Sequence, residues 1–452
     1  DVCSSDLSDY QVISHPEFFY ISTLMLDSSE STLWIGNAHH LHRMNLNTKE
    51  IERVRDFYVV KSIAKDDNNL LIGTDNGLYV CDRQGTWHLI SHDARNSQSL
   101  SSNVVNMFFK DANGNIWIGT DNGISLAAHN PSIRSRSLFD ITGSDEGCQI
   151  SSIQRTVDST LWLGGSRGLI KLKTDMQGNN IRRWYQMSSK ESSLPHNRIR
   201  ALYEDSRQYL WVASDGGLLR YNPMNEQFIS YFFDDLKNWV YDILETPNGD
   251  LWLATFCGVY GISSEQSPEG GILKVKYHFT HDQGLYSNDI YQLALDRENN
   301  LWVLSNNHHI DRINLTTGTI LPIEKITDIP HIDSYAVISD SEGNIWISTS
   351  DNLLKLSVNK GNISTQSIPL SRVLSTEVFA MDEGENEIWL TTSEGLFIVE
   401  KESLKVHRIR ISEKYIDIFY DRIDHKVWLG TSNKITQIDP ILLRQEIQDR
   451  KS

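Results

Sequence analysis

The stretch from Asn113 to Leu126, NGNIWIGTDNGISL, decides the fold because the rest of the chain repeats it. A turn at Asn113-Gly114 precedes a strand-like segment from Ile116 to Thr120, and a second turn at Asp121 to Gly123 precedes another. Similar segments occur before and after this stretch, and together they make ten copies.

The copies share one anchor position in their second strand, and nine of the twelve tryptophans of the chain occupy it. Successive anchors are 37 to 50 residues apart. A period in this range with strand-type sequence is typical of a β-propeller blade. We therefore predict an all-β fold of four-stranded blades. The anchors are Trp34, Leu71, Trp117, Trp162, Trp211, Trp252, Trp302, Trp346, Trp389 and Trp428.

Each copy can be divided into four short strands rich in Val, Ile, Leu and aromatic residues. Gly, Asn and Asp at the turns supply the positive φ of tight hairpins. The anchor Trp162 shares a face with Gly164 because successive side chains alternate, so we expect the anchors to pack between blades. For one copy the predicted strands are Ile199–Glu204, Leu210–Ala213, Leu218–Tyr221 and Phe228–Phe232.

The bulk composition excludes several functions. The chain has 452 residues and a formal net charge of −17, which argues against nucleic acid and against an anionic membrane surface as partners. No apolar run is long enough to span a membrane. The four cysteines, whose disulfide state we leave open, lack the spacing of a zinc site. The chain lacks an initiator Met and a signal peptide, so we expect it to be a segment of a longer protein.

A second regular feature surrounds the anchors. A Leu-x-x-Asn loop opens the first strand of several copies, and an Asp-x-x-Gly/Asn turn closes it. With these motifs the chain resembles the two-component regulator propeller repeats in the extracytoplasmic sensor regions of bacterial hybrid histidine kinases. The matching segments are Leu100 to Asn103, Asp111 to Gly114, Ile116 to Thr120 and Gly217 to Tyr221.

The resemblance implies two seven-bladed propellers in tandem, followed by an immunoglobulin-like domain, a membrane helix and a kinase. It also implies a periplasmic sensor, and many members of the family sense glycans. Ten copies are neither seven nor fourteen. We therefore divide the chain into the last three blades of a first propeller (1–131), a complete seven-bladed propeller (132–440) and an exit linker to a further domain (441–452). The alternative is a single ten-bladed ring, beyond the usual four to eight blades.

Propeller topology predicts where a ligand binds. The loops that enter the first strand and the turns after the second strand lie on one face, and these turns vary while the strands stay similar, as specificity loops do. Trp239 precedes a first strand on this face and could stack on a sugar, with Phe256 on the neighbouring turn. The candidate ligand-binding residues are Arg167, Asp215, Trp239, Phe256, Asn307, His308, Asp351, Glu394 and Asn433.

No catalytic motif is recognisable. The sequence lacks a Gly-rich phosphate loop, GxSxG and HExxH. The pairs His39-His40 and His308-His309 are poor joint metal ligands because strand neighbours point to opposite faces. We therefore expect no catalytic residues, no metal and no cofactor. The preferred function is a non-enzymatic sensor of oligosaccharide that acts as a dimer. The alternatives are a protein-interaction scaffold and a polysaccharide hydrolase or lyase with paired carboxylates.

Overall fold

In a computed structural model the chain folds into two units, Asp1–Pro131 and Ser132–Ser452. It describes residues 15–449, with gaps at 17, 29, 67–68, 83, 95–98, 112–114, 128–131, 145, 175–179, 189–192, 234–238, 264, 328–332, 351, 371–376 and 410–413.

The first unit contains three antiparallel sheets in which each strand pairs with the next along the chain. The first sheet consists of β1 (Ile21–Asp27), β2 (Thr32–Asn37), β3 (His40–Asn45) and β4 (Ile51–Asp56). The second consists of β5 (Val60–Asp66), β6 (Asn69–Thr74), β7 (Gly77–Cys81) and β8 (Trp87–Ile90). The third has three described strands, β9 (Val105–Lys110), β10 (Ile116–Thr120) and β11 (Gly123–Ala127).

The second unit begins with a strand and a short helix, β12 (Ile133–Ser137) and α1 (Leu138–Thr142). Blade 1 follows with β13 (Ile150–Arg155), β14 (Leu161–Gly165), β15 (Gly168–Thr174) and β16 (Asn180–Tyr185). Blade 2 contains β17 (Ile199–Glu204), β18 (Leu210–Ser214), β19 (Gly217–Asn222) and β20 (Gln227–Phe232). Blade 3 contains β21 (Val240–Glu245), β22 (Leu251–Thr255), β23 (Gly258–Ile262) and, after β24 (Gly271–Ile272), β25 (Val275–Phe279). The short β24 pairs in parallel with β20 of blade 2.

The remaining blades follow the same plan. Blade 4 contains β26 (Ile290–Leu295), β27 (Asn300–Ser305), β28 (Ile310–Asn314) and β29 (Ile320–Pro322). Blade 5 contains β30 (Ser334–Ser339), β31 (Ile345–Thr349), β32 (Asn352–Asn359) and β33 (Asn362–Pro369). Blade 6 contains β34 (Val378–Glu383), β35 (Glu387–Thr392), β36 (Gly395–Glu400) and β37 (Val406–Ile409). Blade 7 contains β38 (Asp417–Asp421), β39 (Lys426–Gly430) and β40 (Lys434–Ile438). Two 3₁₀ turns lie at His281–Gln283 and Ile323–Lys325.

The seven blades of the second unit close into a ring. Their first strands are neighbours in chain order, and β38 of the last blade lies beside β13 of the first. The outer strand of blade 7 comes from the start of the unit, because β12 pairs with β40 from Ile133 opposite Ile438 to Ser137 opposite Lys434. The two ends of the unit thus share one sheet, which gives the ring a hydrogen-bonded closure.

The core lies between adjacent blades. Trp162 of blade 1, for example, packs in one cluster with Leu202 and Val212 of blade 2. The anchors Trp162, Trp211, Trp252, Trp302, Trp346 and Trp389 are all buried, as the packing role predicted for them requires.

Side chains also link the first strands of neighbouring blades. Ser152 Oγ accepts the backbone N–H of Leu202 (2.9 Å), and Gln292 Oε1 accepts that of Val337 (3.0 Å). Asp242 Oδ2 of blade 3 likewise accepts the backbone N–H of Leu293 in blade 4 (2.9 Å). These bonds add polar links between strands that also pack on one another.

The segment predicted as an exit linker begins with a helix, and its role as a link to a further domain stays a prediction. Residues Pro440–Asp449 form a helix, α2. The helix starts here because Asp439 Oδ1 accepts the backbone N–H groups of Ile441 (3.0 Å) and Leu442 (3.1 Å), as an N-cap does. Leu443 is buried against blades 6 and 7. None of the described helices is long and apolar enough to cross a membrane.

Candidate functional site

The entry loops of the first strands and the turns after the second strands lie side by side in the ring, and we call this surface the entry face. Backbone hydrogen bonds join the two kinds of loop within a blade. The Asp215 N–H donates to the Arg198 carbonyl (3.2 Å) in blade 2, and the Phe256 N–H donates to the Trp239 carbonyl (3.3 Å) in blade 3. The predicted grouping of loops on one face therefore holds in these blades.

A β-bulge interrupts the first strand of six blades at its second residue, where the pairing register with the second strand shifts. A bulge bends the strand and redirects a side chain, which is why bulges occur next to binding sites. Four of the six bulged residues are aromatic and one is arginine. We call these residues the collar: Ser151, Arg200, Tyr241, Tyr291, Tyr335 and Phe379.

Collar side chains from blades 2, 3 and 4 contact one another. The guanidinium of Arg200 lies 4.9 Å from the centroid of the Tyr241 ring, and this ring stacks on that of Tyr291 at 4.7 Å with an angle of 12°. Asp215 holds the guanidinium in place, since its carboxylate accepts bonds from Nε (2.6 Å) and Nη2 (3.2 Å). Tyr241 is buried and Tyr291 is 41% exposed, so the stack presents one face to solvent.

Asp289 adds a carboxylate beside this stack. Its Oδ2 accepts a hydrogen bond from Asn306 Nδ2 (2.9 Å), whereas its buried Oδ1 accepts none. Burial raises the pKa of Asp289 above its usual value, and the nearby charge of Arg200 only partly offsets this. Burial and the charge of Asp289 also raise the pKa of Tyr241 and of Tyr291. The site therefore combines aromatic faces with two carboxylates, those of Asp215 and Asp289.

Trp239 and Phe256 form a second aromatic pair on the entry face. Their ring centroids are 5.2 Å apart and the rings are nearly perpendicular, at 68°. Trp239 is 42% exposed although it precedes the buried start of β21. The pair belongs to blade 3, the blade that also supplies Tyr241. The structure thus places two exposed aromatic rings, Trp239 and Tyr291, on the entry loops and first strands of adjacent blades.

Two predicted residues are engaged by partners near their own turns. Arg167 forms an ion pair with Glu146. Glu394 accepts a hydrogen bond from Arg408 Nη2 (2.7 Å) within blade 6. The structure gives no contact between either residue and the Arg200 stack.

The other predicted residues have different surroundings. Asn307 is exposed in its turn. His308 adopts a positive φ of 58°, and its ring lies 4.8 Å from that of the collar residue Tyr335. Asn433 Oδ1 accepts a hydrogen bond from Thr431 Oγ1 (3.1 Å). Asp351 lies outside the described residues.

The collar was missed by sequence reasoning, which singled out the turns and the residue before the strand. A signal for it exists: the second residue of the first strand is Arg200, Tyr241, Tyr291, Tyr335 and Phe379 in five consecutive blades. This run of large side chains at one position of the innermost strands is visible in the sequence alone. Among the described residues, no group of three or more His, Cys, Asp and Glu side chains is placed to hold a metal ion.

Three segments of the chain match the model of the two-component regulator propeller family, at residues 99–122, 193–216 and 236–256. A curated relative, histidine kinase P4 of Formosa agariphila, is 27% identical over 306 residues, which is 64% of this chain. The chain corresponds to 21% of the length of that protein.

Two solved structures from B. thetaiotaomicron are also similar. Each is the extracellular domain of a protein described as a hybrid two-component system. One is 30% identical with a TM-score of 0.63, and the match covers 95% of this chain and 59% of the other. The second is 20% identical with a TM-score of 0.77, and the match covers 94% and 56%. At this lower identity the second likeness supports the fold alone.

Proposed function

We propose that this chain, whose repeats belong to the two-component regulator propeller family, is the extracytoplasmic ligand-sensing region of a bacterial two-component signalling protein. The name of the curated relative and the extracellular origin of the similar structures support this assignment. The segment itself is non-enzymatic in this proposal. The kinase belongs to another part of the protein, across the membrane, and the sensor acts as a dimer in the periplasm.

The ligand in this proposal is an oligosaccharide that binds on the entry face. The observation that carries it is a pair of exposed aromatic rings on the entry face, the collar residue Tyr291 of blade 4 and the loop residue Trp239 of blade 3. The Arg200–Asp215 pair lies against Tyr241, on which Tyr291 stacks. Sugar rings have apolar C–H faces that pack on aromatic side chains and hydroxyl groups that bond to charged and amide groups. Aromatic faces beside convergent polar groups suit such a ligand better than a purely apolar one.

The signal is a shift of population between two arrangements of the sensor dimer. A ligand that binds one arrangement more tightly raises its population by the difference in the two affinities. The membrane-anchored continuation of the chain passes this arrangement to the kinase. A gene that encodes no membrane anchor and no kinase partner for this chain would contradict the proposal.

The first unit belongs, in this proposal, to the end of a preceding propeller. One face of its third sheet exposes Met107, Phe109, Trp117 and Leu126 to solvent. The corresponding faces in the ring are covered by the next blade. Further blades of the same polypeptide would cover this face, and the similar extracellular domains are longer than this chain.

The test is the melting temperature of the 452-residue chain in the presence of a panel of neutral and acidic oligosaccharides. A ligand at one hundred times its dissociation constant stabilises the folded state by about 2.7 kcal/mol, which corresponds to a few degrees. The Tyr291→Ala and Trp239→Ala variants should each weaken the response at least tenfold in ligand concentration. The exposed Tyr58, in the first unit, provides the control variant Tyr58→Ala.

Each result decides a separate part of the proposal. A response that Tyr291→Ala and Trp239→Ala both leave unchanged would contradict the site. Release of shorter sugars from a stabilising oligosaccharide would replace the sensor with the hydrolase or lyase alternative. A flat response across the panel would contradict the glycan ligand, and co-purification of a stoichiometric protein partner would then favour the scaffold.

A further inference from the structure

A cavity of about 170 Å³ lies between blade 7 and blade 1, where the ring closes. Its walls come from β12, α1, β13 to β16, β39 and β40. None of its lining residues belongs to the collar or to the candidate residues of the entry face. Ile141, Leu161 and the indole of Trp428 form part of its apolar wall. An apolar cavity of about 150 Å³ accommodates benzene, so this one is large enough for a single ring.

The polar part of the lining is basic. Arg136, Arg155, Lys173 and Arg182 line the cavity, and no Asp or Glu of the described part of the chain does. This is unexpected in a chain with a formal net charge of −17. Lys173 is paired with Asp158 (2.6 Å), and Arg155 is paired with Asp421 (2.8 Å) and Asp424, but Arg136 forms no ion pair with a described residue. Arg136 therefore gives the wall a positive charge that no described carboxylate pairs.

Two N–H groups at the same wall also lack acceptors. Trp428 Nε1 and Arg155 Nε are buried, and neither donates a hydrogen bond. A buried unsatisfied donor is costly, and a bound anion supplies the acceptor that it lacks. Both groups belong to residues that line the cavity.

The spacing of blade 7 explains why Trp428 lacks a partner. In blades 2, 4 and 5 the anchor indole donates to an Asp six residues earlier: Trp211 to Asp205 (2.8 Å), Trp302 to Asp296 (3.0 Å) and Trp346 to Asp340 (2.9 Å). In blade 7 the aspartate, Asp421, comes seven residues before the anchor. It accepts a hydrogen bond from Arg155 Nη1 (2.8 Å) of blade 1 instead.

We propose that this cavity binds a compact organic anion, a carboxylate or sulfate group carried on a single ring. The anionic group lies against the cations and the unsatisfied donors, and the ring packs on the apolar wall. Charge-assisted hydrogen bonds from guanidinium groups suit these anions. Since the walls belong to the first and last blades, a bound anion strengthens the closure of the ring. This site goes beyond the proposed function and does not depend on it.

The experiment measures the dissociation constants of four probes for the 452-residue chain by calorimetry at low salt, with melting temperature as a second measurement. The probes are benzoate, glucuronate, inorganic sulfate and glucose. We expect benzoate or glucuronate to bind and to raise the melting temperature, and glucose to have no effect. Affinity should fall as sodium chloride is raised, because salt screens exposed charges. An oligosaccharide that ends in glucuronate, used as a further arm, distinguishes a glycan end from a free acid.

The variants locate the site. Arg136→Gln should weaken binding at least fivefold, and Trp428→Phe, which keeps an aromatic ring but removes the N–H, should weaken it to a similar extent. Arg134→Gln is the matched control. Arg134 is an exposed arginine on the same face of β12 as Arg136, but it does not line the cavity. Tyr291→Ala should leave anion binding unchanged, which separates this site from the entry face.

The outcomes are decisive in both directions. Binding that Arg136→Gln weakens and Arg134→Gln does not would support the site. Equal effects of the two substitutions, equal binding of glucose and glucuronate, or no binding of any probe would overturn it. Binding of sulfate as strong as that of the ring acids would overturn the requirement for a ring.

Discussion

The third sheet of the first unit and the blades of the ring come from the same repeat but differ in what covers them. Trp117 in the third sheet donates its indole N–H to Asp111 (3.0 Å), as Trp211 in blade 2 donates to Asp205 (2.8 Å). Trp117 is nevertheless 40% exposed, whereas Trp211 is fully buried. The repeat therefore builds the strand, turn and indole bond locally, and burial of the anchor requires a neighbouring blade.

The glycine two residues after the anchor differs in the same way. A Cβ at Gly164 of blade 1 would lie 2.6 Å from Ile199 of blade 2, and one at Gly73 of the second sheet would lie 2.7 Å from Val105 of the third. At Gly119 of the third sheet the nearest atom belongs to Met107 of the same sheet. The missing side chain of the glycine thus leaves room for the first strand of the next blade. At Gly119 no described strand of another blade lies in the corresponding space.

The largest expected effect comes from removal of a covered anchor. Trp211→Ala should lower the free energy of unfolding by about 3–5 kcal/mol, because it opens a cavity between two blades. Trp117→Ala should lower it by roughly 1–2 kcal/mol, because a half-exposed ring buries less apolar surface. Native-state hydrogen exchange measures the opening free energy of each unit separately.

Equal losses for these two variants would contradict the comparison, since they would mean that the face of Trp117 is covered in solution. The same measurement on a longer chain with additional preceding blades would then show whether those blades cover the face of Trp117. In that protein, Trp117→Ala should become nearly as costly as Trp211→Ala.

The next effect concerns the aspartate that closes the first hairpin. Asp205 Oδ1 accepts the backbone N–H groups of Arg207 (3.0 Å) and Tyr209 (2.8 Å), and its Oδ2 accepts the indole N–H of Trp211. Asp205→Ala should cost about 2–4 kcal/mol because it removes these three hydrogen bonds and leaves the buried indole N–H of Trp211 unsatisfied. Asp111→Ala should cost about 1 kcal/mol, since water can reach the half-exposed Trp117 instead. Urea unfolding of both variants tests the difference, and a larger loss for Asp111→Ala would contradict it.

The blades could be predicted from the sequence because their determinants are local. The strands predicted for blade 2 agree with β17 to β20 to within one residue at each end. The turn residues and the anchor lie within a few positions of one another in each copy, and in blades 2, 4 and 5 so does the aspartate that binds the anchor indole. Helix α2 was missed because its start depends on the N-cap Asp439, and its position depends on burial of Leu443 against other blades.

The site could be predicted only in part. The face and the residues Asp215, Trp239 and Phe256 follow from the order of strands in a propeller, but their assignment to a ligand stays a prediction. The collar depends on bulges, which are shifts of register between two strands, and no residue type specifies them. Likewise, the unsatisfied indole of Trp428 results from one extra residue in a turn together with Arg155, which comes from a blade distant in sequence.

The two units should also differ in their response to pH. Burial raises the pKa of Asp242 to about 7 and that of Asp382 to about 6, because each carboxyl lies between first strands. Asp242 Oδ2 accepts the N–H of Leu293 (2.9 Å), which lowers the pKa only partly. In the first unit, by contrast, the neighbouring Arg53 lowers the pKa of the exposed Asp56.

The direction in which the free energy of unfolding changes with pH follows from the protons that the folded and unfolded chains bind. Between about pH 4, where an unfolded Asp ionises, and pH 7 the folded ring holds protons that the unfolded chain releases. The free energy of unfolding of the ring should therefore fall by roughly 1–4 kcal/mol from pH 5 to pH 8. Asp242→Asn should remove about half of this fall, as measured by urea unfolding at several pH values. A ring more stable at pH 8 than at pH 5 would contradict the assignment, and the first unit should change little over this range.

The smallest effect, and the sharpest test of the comparison, comes from one methyl group. Gly164→Ala should cost about 1–3 kcal/mol, because the new Cβ collides with the branched side chain of Ile199 on a buried strand. Gly119→Ala should change the free energy of unfolding by less than about 0.5 kcal/mol, because the exposed and flexible Met107 can move aside. Hydrogen exchange of the two units measures both changes. If Gly119→Ala proved as costly as Gly164→Ala, the space beside Gly119 would be filled in solution, and the third sheet would be a covered blade like those of the ring.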